Sequence, residues 1–431
     1  MGIAVGILIL SVMMIVHELG HFLTGRALGF TIEEFSIFMG PTLYSVERKG
    51  IRYSLKLLPI GASVRFAGEY EEFDRPNDDP GWFFNRPKWA RAIVIGTGPA
   101  LNLISGVMAF LIMFSAFGYT LPVIDTVQPN TQAASAGLQP GDRILSAQGS
   151  PVRTTLDYSG VELFLGGTKP IELTIQSKDG QVRSVTVQPV YQDNYRLGVT
   201  VQSGLVDGGG VVDSVDPKSN GGNPALQKGD VILGAGNALY SDTAAFREAI
   251  RATAGKPFAL TVLRNGQRMD LTMSATLYHD LLSRGIYFTA SQAFLPAVNQ
   301  AFQWSWSIIK VTLKSVGHLF AGDIKPADTL SGPVGVVNMI SDVVTEDQPL
   351  ADKIYQLLWM FALISVSLGF MNLLPIPPLD GNHLLLIGIE AVRGKRLSAK
   401  AQSVIGFIGI AIIILLALAG LFFDIARIAN G

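Results

Sequence analysis

The sequence predicts a polytopic α-helical membrane protein. It has four transmembrane helices, a membrane-associated β-hairpin and two tandem copies of a small α+β domain on the extracytoplasmic side. Three observations predict this. Hydrophobic residues make up 48% of the 431 and charged residues only 16%, against the ~25% of a typical soluble domain. Four stretches, 3–25, 93–118, 354–374 and 403–423, are apolar over the length a bilayer requires. Between the second and the third, residues 120–278 have soluble composition and contain an internal repeat. The formal net charge of -1 argues against a nucleic-acid partner. With no cysteine, thiolate metal ligands, disulfides and a thiol nucleophile are excluded.

The first span, 1–25, contains His17-Glu18-Leu19-Gly20-His21. On a helix His17 and His21 lie one turn apart on one face and can reach a single metal. Glu18 projects beside them, placed as a general base. A carboxylate and two imidazoles are costly inside a membrane-length helix. The expectation is therefore a functional site, not a chance motif or two satisfied core histidines. His17 lies nine residues before Arg26, ~13 Å inside that end at ~1.5 Å per residue, so a metal would sit within the bilayer toward the Arg26 side. Having no basic n-region and no small-residue cleavage site, the segment reads as a retained span, not a cleaved signal peptide.

Residues 26–92 are polar and rich in arginine and lysine, which by the positive-inside rule places them in the cytoplasm. Stretches 41–46 and 51–66 have strand character, with Lys49-Gly50 as the turn. Such a hairpin either folds back toward the metal and offers an edge strand to an extended substrate, or is an ordinary peripheral hairpin. Residues 69–80, acidic with two prolines, read as a surface loop. In the second span, 93–118, Gly96, Gly98, Ala100, Ser105 and Gly106 are small enough for close helix packing. Pro99 predicts a kink, and Asn102, a lone polar group, predicts an interhelical hydrogen bond.

The repeat pairs 125–129 with 213–217 and 138–145 with 226–233, both at an offset of 88, and 169–174 with 256–261 at 87. The expected domains are 119–203 and 204–278. Residues 279–352 are expected to be an amphipathic helical segment at the interface, carrying Trp304 and Trp306. Lys310, Lys314 and His318 fall at i, i+4 and i+8, a stripe read as a solvated face and not a metal site. Ser331-Gly332-Pro333-Val334-Gly335 breaks the helical pattern. The third span belongs to 353–381 and runs into Pro375-Ile376-Pro377-Pro378-Leu379-Asp380-Gly381, where the prolines force the chain to unwind. Unwound backbone at membrane depth is tolerated only inside protein or facing a cavity. Residues 382–402, with Arg393, Lys395, Arg396 and Lys400, are expected to be a cytoplasmic loop before the fourth span, 403–424.

A catalytic zinc takes three protein ligands and keeps one position open. His17 and His21 supply two. Thr24 and Ala27 stand where one zinc-protease pattern places glycine and histidine, and Glu47 lies far from membrane depth. Asp380 sits in the unwound segment, at the level deduced for His17. It is either the third ligand or a turn residue before Gly381.

The pairing of His-Glu-Leu-Gly-His with Asn372-Leu373-Leu374-Pro375-Ile376-Pro377-Pro378-Leu379-Asp380-Gly381 resembles the site-2 protease family of intramembrane zinc metalloproteases. The repeated domains resemble the PDZ pair of its bacterial sigma-E-regulating branch, so the resemblance covers essentially the whole chain. It implies Zn2+ held by His17, His21 and Asp380, with Glu18 as general base. It further implies Asn372, with Pro375 beside it, as substrate contacts, and a structural element of Gly98, Pro99 and Asn102 near the site. The hairpin matches the family's membrane-reentrant β-element. In the second PDZ copy, Arg196-Leu197-Gly198-Val199 looks like the carboxylate-binding loop and edge strand. The grooves either bind peptide C-termini or serve as steric bulk. Asn382 departs from the family's usual second glycine, and His383 follows it.

The implied function is cleavage, within a bacterial inner membrane and its lipid, of pre-trimmed single-span proteins such as an anti-sigma factor, and of remnant signal peptides. Two other classes compete with it. One is a membrane-anchored PDZ adaptor with a structural metal. The other is a zinc transporter, which needs polar groups along several spans, and 404–423 offers none.

Overall fold

The computed structural model describes residues 2–69, 78–165, 168–202, 204–322 and 332–430. Four helices are long and apolar enough to cross a membrane: α1 (Gly2–Ala27), α2 (Lys88–Phe117), α7 (Leu350–Asn372) and α9 (Ala399–Asn430). Helix α2 is central, packed against both α1 and α7. Glycines set how close it comes. A Cβ on Gly20 of α1 would stand 2.6 Å from the Thr97 carbonyl, and one on Gly369 of α7 would stand 2.8 Å from that of Pro99. Gly106 likewise meets Val366 and Ala362, and Ser105 Oγ lies 2.7 Å from Ser365 Oγ. Gly96 faces open space, so this expected packing residue is not used.

Strands β1 (Ile32–Arg48) and β2 (Ile51–Phe66) form the hairpin. The first strand begins nine residues earlier than its apolar pattern suggested (32 against 41). Phe38 and Gly40, with φ of 70° and 88°, bend the strand at the Gly40-Pro41 breaker without ending it. The ribbon folds over itself, because Glu34, Phe35, Ser36 and Ile37 pair both with 52–55 and with 62–65. Most of the expected 69–80 loop lies outside the described residues.

The repeat folds as two sheets, with α3 (Thr155–Leu165) on the first and α4 (Thr243–Ala252) on the second. In the first the strands run β14-β3-β4-β5-β6: β3 is Tyr119–Val127, β4 Arg143–Ala147, β5 Ile171–Gln176, β6 Val182–Val187 and β14 Ile286–Ser291. In the second they run β12-β11-β10-β9-β8: β8 is Val199–Val201, β9 Gly210–Val215, β10 Val231–Ala235, β11 Pro257–Arg264 and β12 Gln267–Ser274. Equivalent sequence does equivalent work. Ile144 and Ile232 are fully buried, one in each core. Asp142 accepts the Gln139 N–H (3.0 Å) and pairs with Arg183; Asp230 accepts the Gln227 N–H (2.8 Å) and pairs with Arg264.

The arrangement of the two copies departs from expectation. The copies are not arranged end to end as 119–203 and 204–278. The edge strand of the first sheet, β14, lies beyond the second sheet in sequence, and Leu197 and β8 belong to the second core. The second copy is thus inserted within the first, joined through a ribbon of β7 (Tyr191–Arg196) and β13 (Thr276–Leu281). Local repeats reveal pairs of like segments but not which sheet a distant strand completes.

Helix α5 (Phe294–Ala321) carries a second departure. Its basic stripe is only partly a solvated face, Lys314 remaining exposed. Lys310 Nζ lies 2.7 Å from Asp157 Oδ1, Lys314 Nζ donates to Ser150 Oγ at 2.8 Å, and His318 stacks on Phe164. The stripe therefore docks the helix on the first small domain. Trp304 packs between Phe110 and Phe114 of α2 on the other side. Helix α6 (Pro333–Thr345) starts at the expected break, although Ser331 lies outside the described residues. Its first N–H groups, those of Gly332 and Gly335, donate to Asp424 of α9 at 3.1 and 2.8 Å. The expected loop 382–402 opens instead with a helix, α8 (Asp380–Arg393): the chain unwinds only across 373–379 and winds up again once the prolines are past.

Burial alone would raise the Asp230 carboxyl, but Arg264 and the Gln227 N–H hold it below the usual carboxylate range. A depressed folded value stabilises above the unfolded value of about 4 and is lost as pH falls through the folded one. Asp230→Asn should therefore cost about 2 kcal/mol at neutral pH, with the difference from wild type closing below about pH 4. Amide exchange across 231–235 and 257–264 in the detergent-solubilised chain measures it. Unchanged exchange at pH 7 would show that the pair does not anchor this sheet.

Candidate metal centre

Helix α1 presents His17 and His21 toward α2 and α8, and Glu18 toward β2. The apolar run makes the helix, and the four-residue spacing puts both imidazoles on one face. Asp380 is the first residue of α8, so the end of the unwound segment delivers its carboxylate. His17 Nε2 lies 3.0 Å from Asp380 Oδ2 and His21 Nε2 lies 3.6 Å from it. The two Nε2 atoms are 3.1 Å apart. Among the described residues these three side chains form the group able to hold a metal, their ligand atoms all within 4.8 Å. His17 and His21 are 9% and 8% exposed.

The surroundings prepare the histidines. His21 Nδ1–H donates to the Val94 carbonyl at 2.9 Å, which leaves the Nε2 lone pair free for a cation. His17 Nδ1 faces the Asn102 amide at 3.3 Å. The expected interhelical bond of Asn102 thus ends on a candidate ligand. Asn102 is fully buried, and its Oδ1 lacks a partner among the described residues. When His17 Nε2 serves a cation, Nδ1 keeps the proton and needs an acceptor, which a half-turn of this amide supplies.

Gly98 explains why the helices approach so closely here. A Cβ on it would overlap His21 Nε2 and stand 2.9 Å from His17 Nε2, in the space between the ligand atoms. Pro99, next to it, sets its carbonyl against Gly369. Gly381 is needed just as strictly, since a Cβ there would overlap the carbonyls of Leu373 and Leu374. Asn382, buried in the first turn of α8, donates its N–H to the Leu379 carbonyl at 3.0 Å, so the local turn closes without the second glycine. The donor set, the cradle at Gly98 and the unpartnered Asn102 oxygen all fit a tetrahedral cation with two nitrogens and one carboxylate.

Glu18 Oε2 accepts the Val64 N–H of β2 at 2.9 Å, tying the hairpin to the site. A cavity of 350 Å³ opens beside the three ligand candidates. Asn372, the last residue of α7, lines it. Pro375 does not; Pro378 and Leu379 take that place on the wall. The same cavity contains two residues that sequence reasoning did not assign, Glu69 and His383. Burial pushes the Glu69 carboxyl up to about 7. Nothing in the local pattern marked Glu69, whereas His383 was visible three residues after Asp380. Gly198 lies in the second small domain, where φ of 73° turns the chain between Leu197 and Val199. Those two residues line a groove of 480 Å³ between β8 and α4.

Gly98→Ala should strip the metal, because its methyl occupies the space between the two Nε2 atoms. Metal analysis of the purified variant should give near zero against one per wild-type chain. Full occupancy in the variant would exclude this cradle.

The model of peptidase family M50 matches residues 5–416. Regulator of sigma-E protease RseP of Salmonella typhimurium (strain 14028s / SGSC 2262) is 29% identical over 99% of both chains. Protease RseP of Yersinia pestis gives the same figures. Regulator of sigma-E protease RseP of Escherichia coli (strain K12) is 29% identical over 98% of both. A relative in Pasteurella multocida (strain Pm70), also 29% identical over 98% of both, is named for zinc metalloprotease activity. With its helices, its donor set and a match along nearly its full length, the chain belongs to peptidase family M50, the zinc-dependent site-2 proteases.

Proposed function

We propose that this metalloprotease hydrolyses peptide bonds within the membrane, with His17, His21 and Asp380 as zinc ligands and Glu18 as general base. The observation that carries the reading is the convergence of Asp380 on the His17–His21 pair, with Glu18 one residue along the same helix. Bound there, zinc supplies Lewis acidity, which acidifies water and polarises a carbonyl.

The chain's own groups do the rest. Glu18 accepts the proton of the attacking water and passes it to the leaving amine. The Val64 N–H on Oε2 fixes the orientation of that carboxylate. His21 is held by the Val94 carbonyl and His17 by Asn102, so neither ring can rotate away from the centre. A helical substrate hides its carbonyls in its own hydrogen bonds and must unwind first. Residues 62–66 of β2 lie beside Glu18 and offer backbone to an extended segment, and Asn372 offers a side-chain amide across the cavity.

Substrate class follows from the named relatives. The relatives' names, regulators of sigma-E, support an anti-sigma-factor-like single-span substrate; its prior shortening by another protease, and remnant signal peptides as further substrates, are our proposal from the family resemblance. The protein is then an inner-membrane protease with its site toward the cytoplasm. Its inserted pair of PDZ-like domains lies on the far side, where they restrict entry or hold peptide C-termini beside Gly198.

Glu18→Gln should keep one zinc and lose cleavage of a tagged, truncated single-span substrate by at least ~100-fold. Asp380→Ala should lose both zinc and cleavage. Normal cleavage by Glu18→Gln refutes the base assignment. A wild type that holds zinc yet cleaves no truncated substrate would favour a membrane-anchored adaptor instead.

A further inference from the structure

A second charged site lies at the start of α2, further along α8 toward its C-terminal end than the metal cavity. Arg86, Lys88, Arg91 and Arg396 line an open cavity of 860 Å³ with a single carboxylate, Glu390. Four positive charges against one negative leave a surplus of three. Glu390 engages Arg91 Nη2 at 2.9 Å and Arg396 Nε at 3.6 Å, and its backbone carbonyl accepts from Lys88 Nζ at 3.2 Å. Arg91 is 3% exposed, so part of this charge is held away from water. Arg86 Nε is buried without a hydrogen-bond partner among the described residues. Burial, and then the neighbouring Arg91 charge, lower the Arg396 guanidinium from its ordinary value.

The rim of this cavity is apolar and faces outward. Trp89 is 60% exposed on the turn of α2 where the apolar span begins, and Ile93 is 49% exposed one turn further on. An exposed tryptophan at the end of a span is an interfacial anchor, and a basic pocket between helices at that level suits a lipid phosphate.

We propose that this cavity binds the phosphate of an anionic phospholipid, with its acyl chains along the Trp89–Ile93 face. The bound headgroup joins α2 to α8, the helix that carries Asp380 at its opposite end. The full chain in neutral detergent would be titrated with phosphatidylglycerol, with phosphatidylcholine of the same acyl chains, and with inorganic phosphate. Native mass spectrometry would count the adducts. Wild type should take one phosphatidylglycerol saturably and discriminate against phosphatidylcholine. The double variant Lys88→Gln/Arg396→Gln should bind about 30-fold more weakly, the effect of two surface charges. The charge-conserving Lys88→Arg/Arg396→Lys pair should restore binding, which separates lost charge from lost fold. Equal adduct formation by wild type and the Gln pair would overturn the site. Displacement of the lipid by inorganic phosphate at micromolar concentration would overturn the lipid as its occupant.

Discussion

The helical part of the structure depends on one constraint: a carboxylate and two imidazoles meet inside an assembly of long apolar helices, where none is tolerable alone. His17 and His21 arrive together on α1, but Asp380 has to be brought from the far end of the sequence. The helices between them serve that meeting. Helix α2 lets α1 approach through Gly98, because the backbone leaves room there for converging ligand atoms. Helix α7 packs on α2 through Gly369 and Gly106, stops at Asn372, and a proline-rich turn releases the chain so that α8 begins with the carboxylate already in place. Gly381 permits this turn to fold tightly against 373–374.

The residues that meet at the candidate site were the most legible part of the sequence, being rare residue types in improbable places. Paired histidines and a glutamate in an apolar helix, and an aspartate behind three prolines, each violate the pattern of a membrane span. The spans were legible for the opposite reason, being long runs of uniform character. Surface docking was not legible. The Lys310–Lys314–His318 stripe has the composition of a face turned to water, yet it meets Asp157, Ser150 and Phe164. A charge shows that a partner is needed but not whether the partner is solvent or a carboxylate on another element. Glu69 was missed in the same way, since an ordinary glutamate after a strand gains meaning only from the cavity it lines.

Helix α5 has a double allegiance that its amphipathic pattern only hinted at. One face joins the aromatic cluster of Phe110, Phe114 and Trp304 against α2, and the other holds α3 through Lys310 and through the bond from Thr154 Oγ1 to Ser307 Oγ at 3.0 Å. Both partners of that last bond are fully buried. The first small domain is therefore fastened, through α5, to α2, the helix that carries Gly98 and Asn102. The second makes its links through the β7–β13 ribbon. The domain docked on α5 thus carries the other one on a narrow stalk.

The stalk has a geometric property of its own. Where the chain leaves the first sheet and where it returns, Val190 and Leu282 are hydrogen-bonded neighbours, with the Leu282 N–H on the Val190 carbonyl at 2.8 Å. The whole second copy therefore enters and leaves through a doorway one strand-spacing wide. A chain lacking it would need only a short turn to reunite the two lips, and β14 would still reach its place beside β3. The architecture is modular in the literal sense: the second copy hangs from a single hairpin, and the sheet beneath it is complete without it.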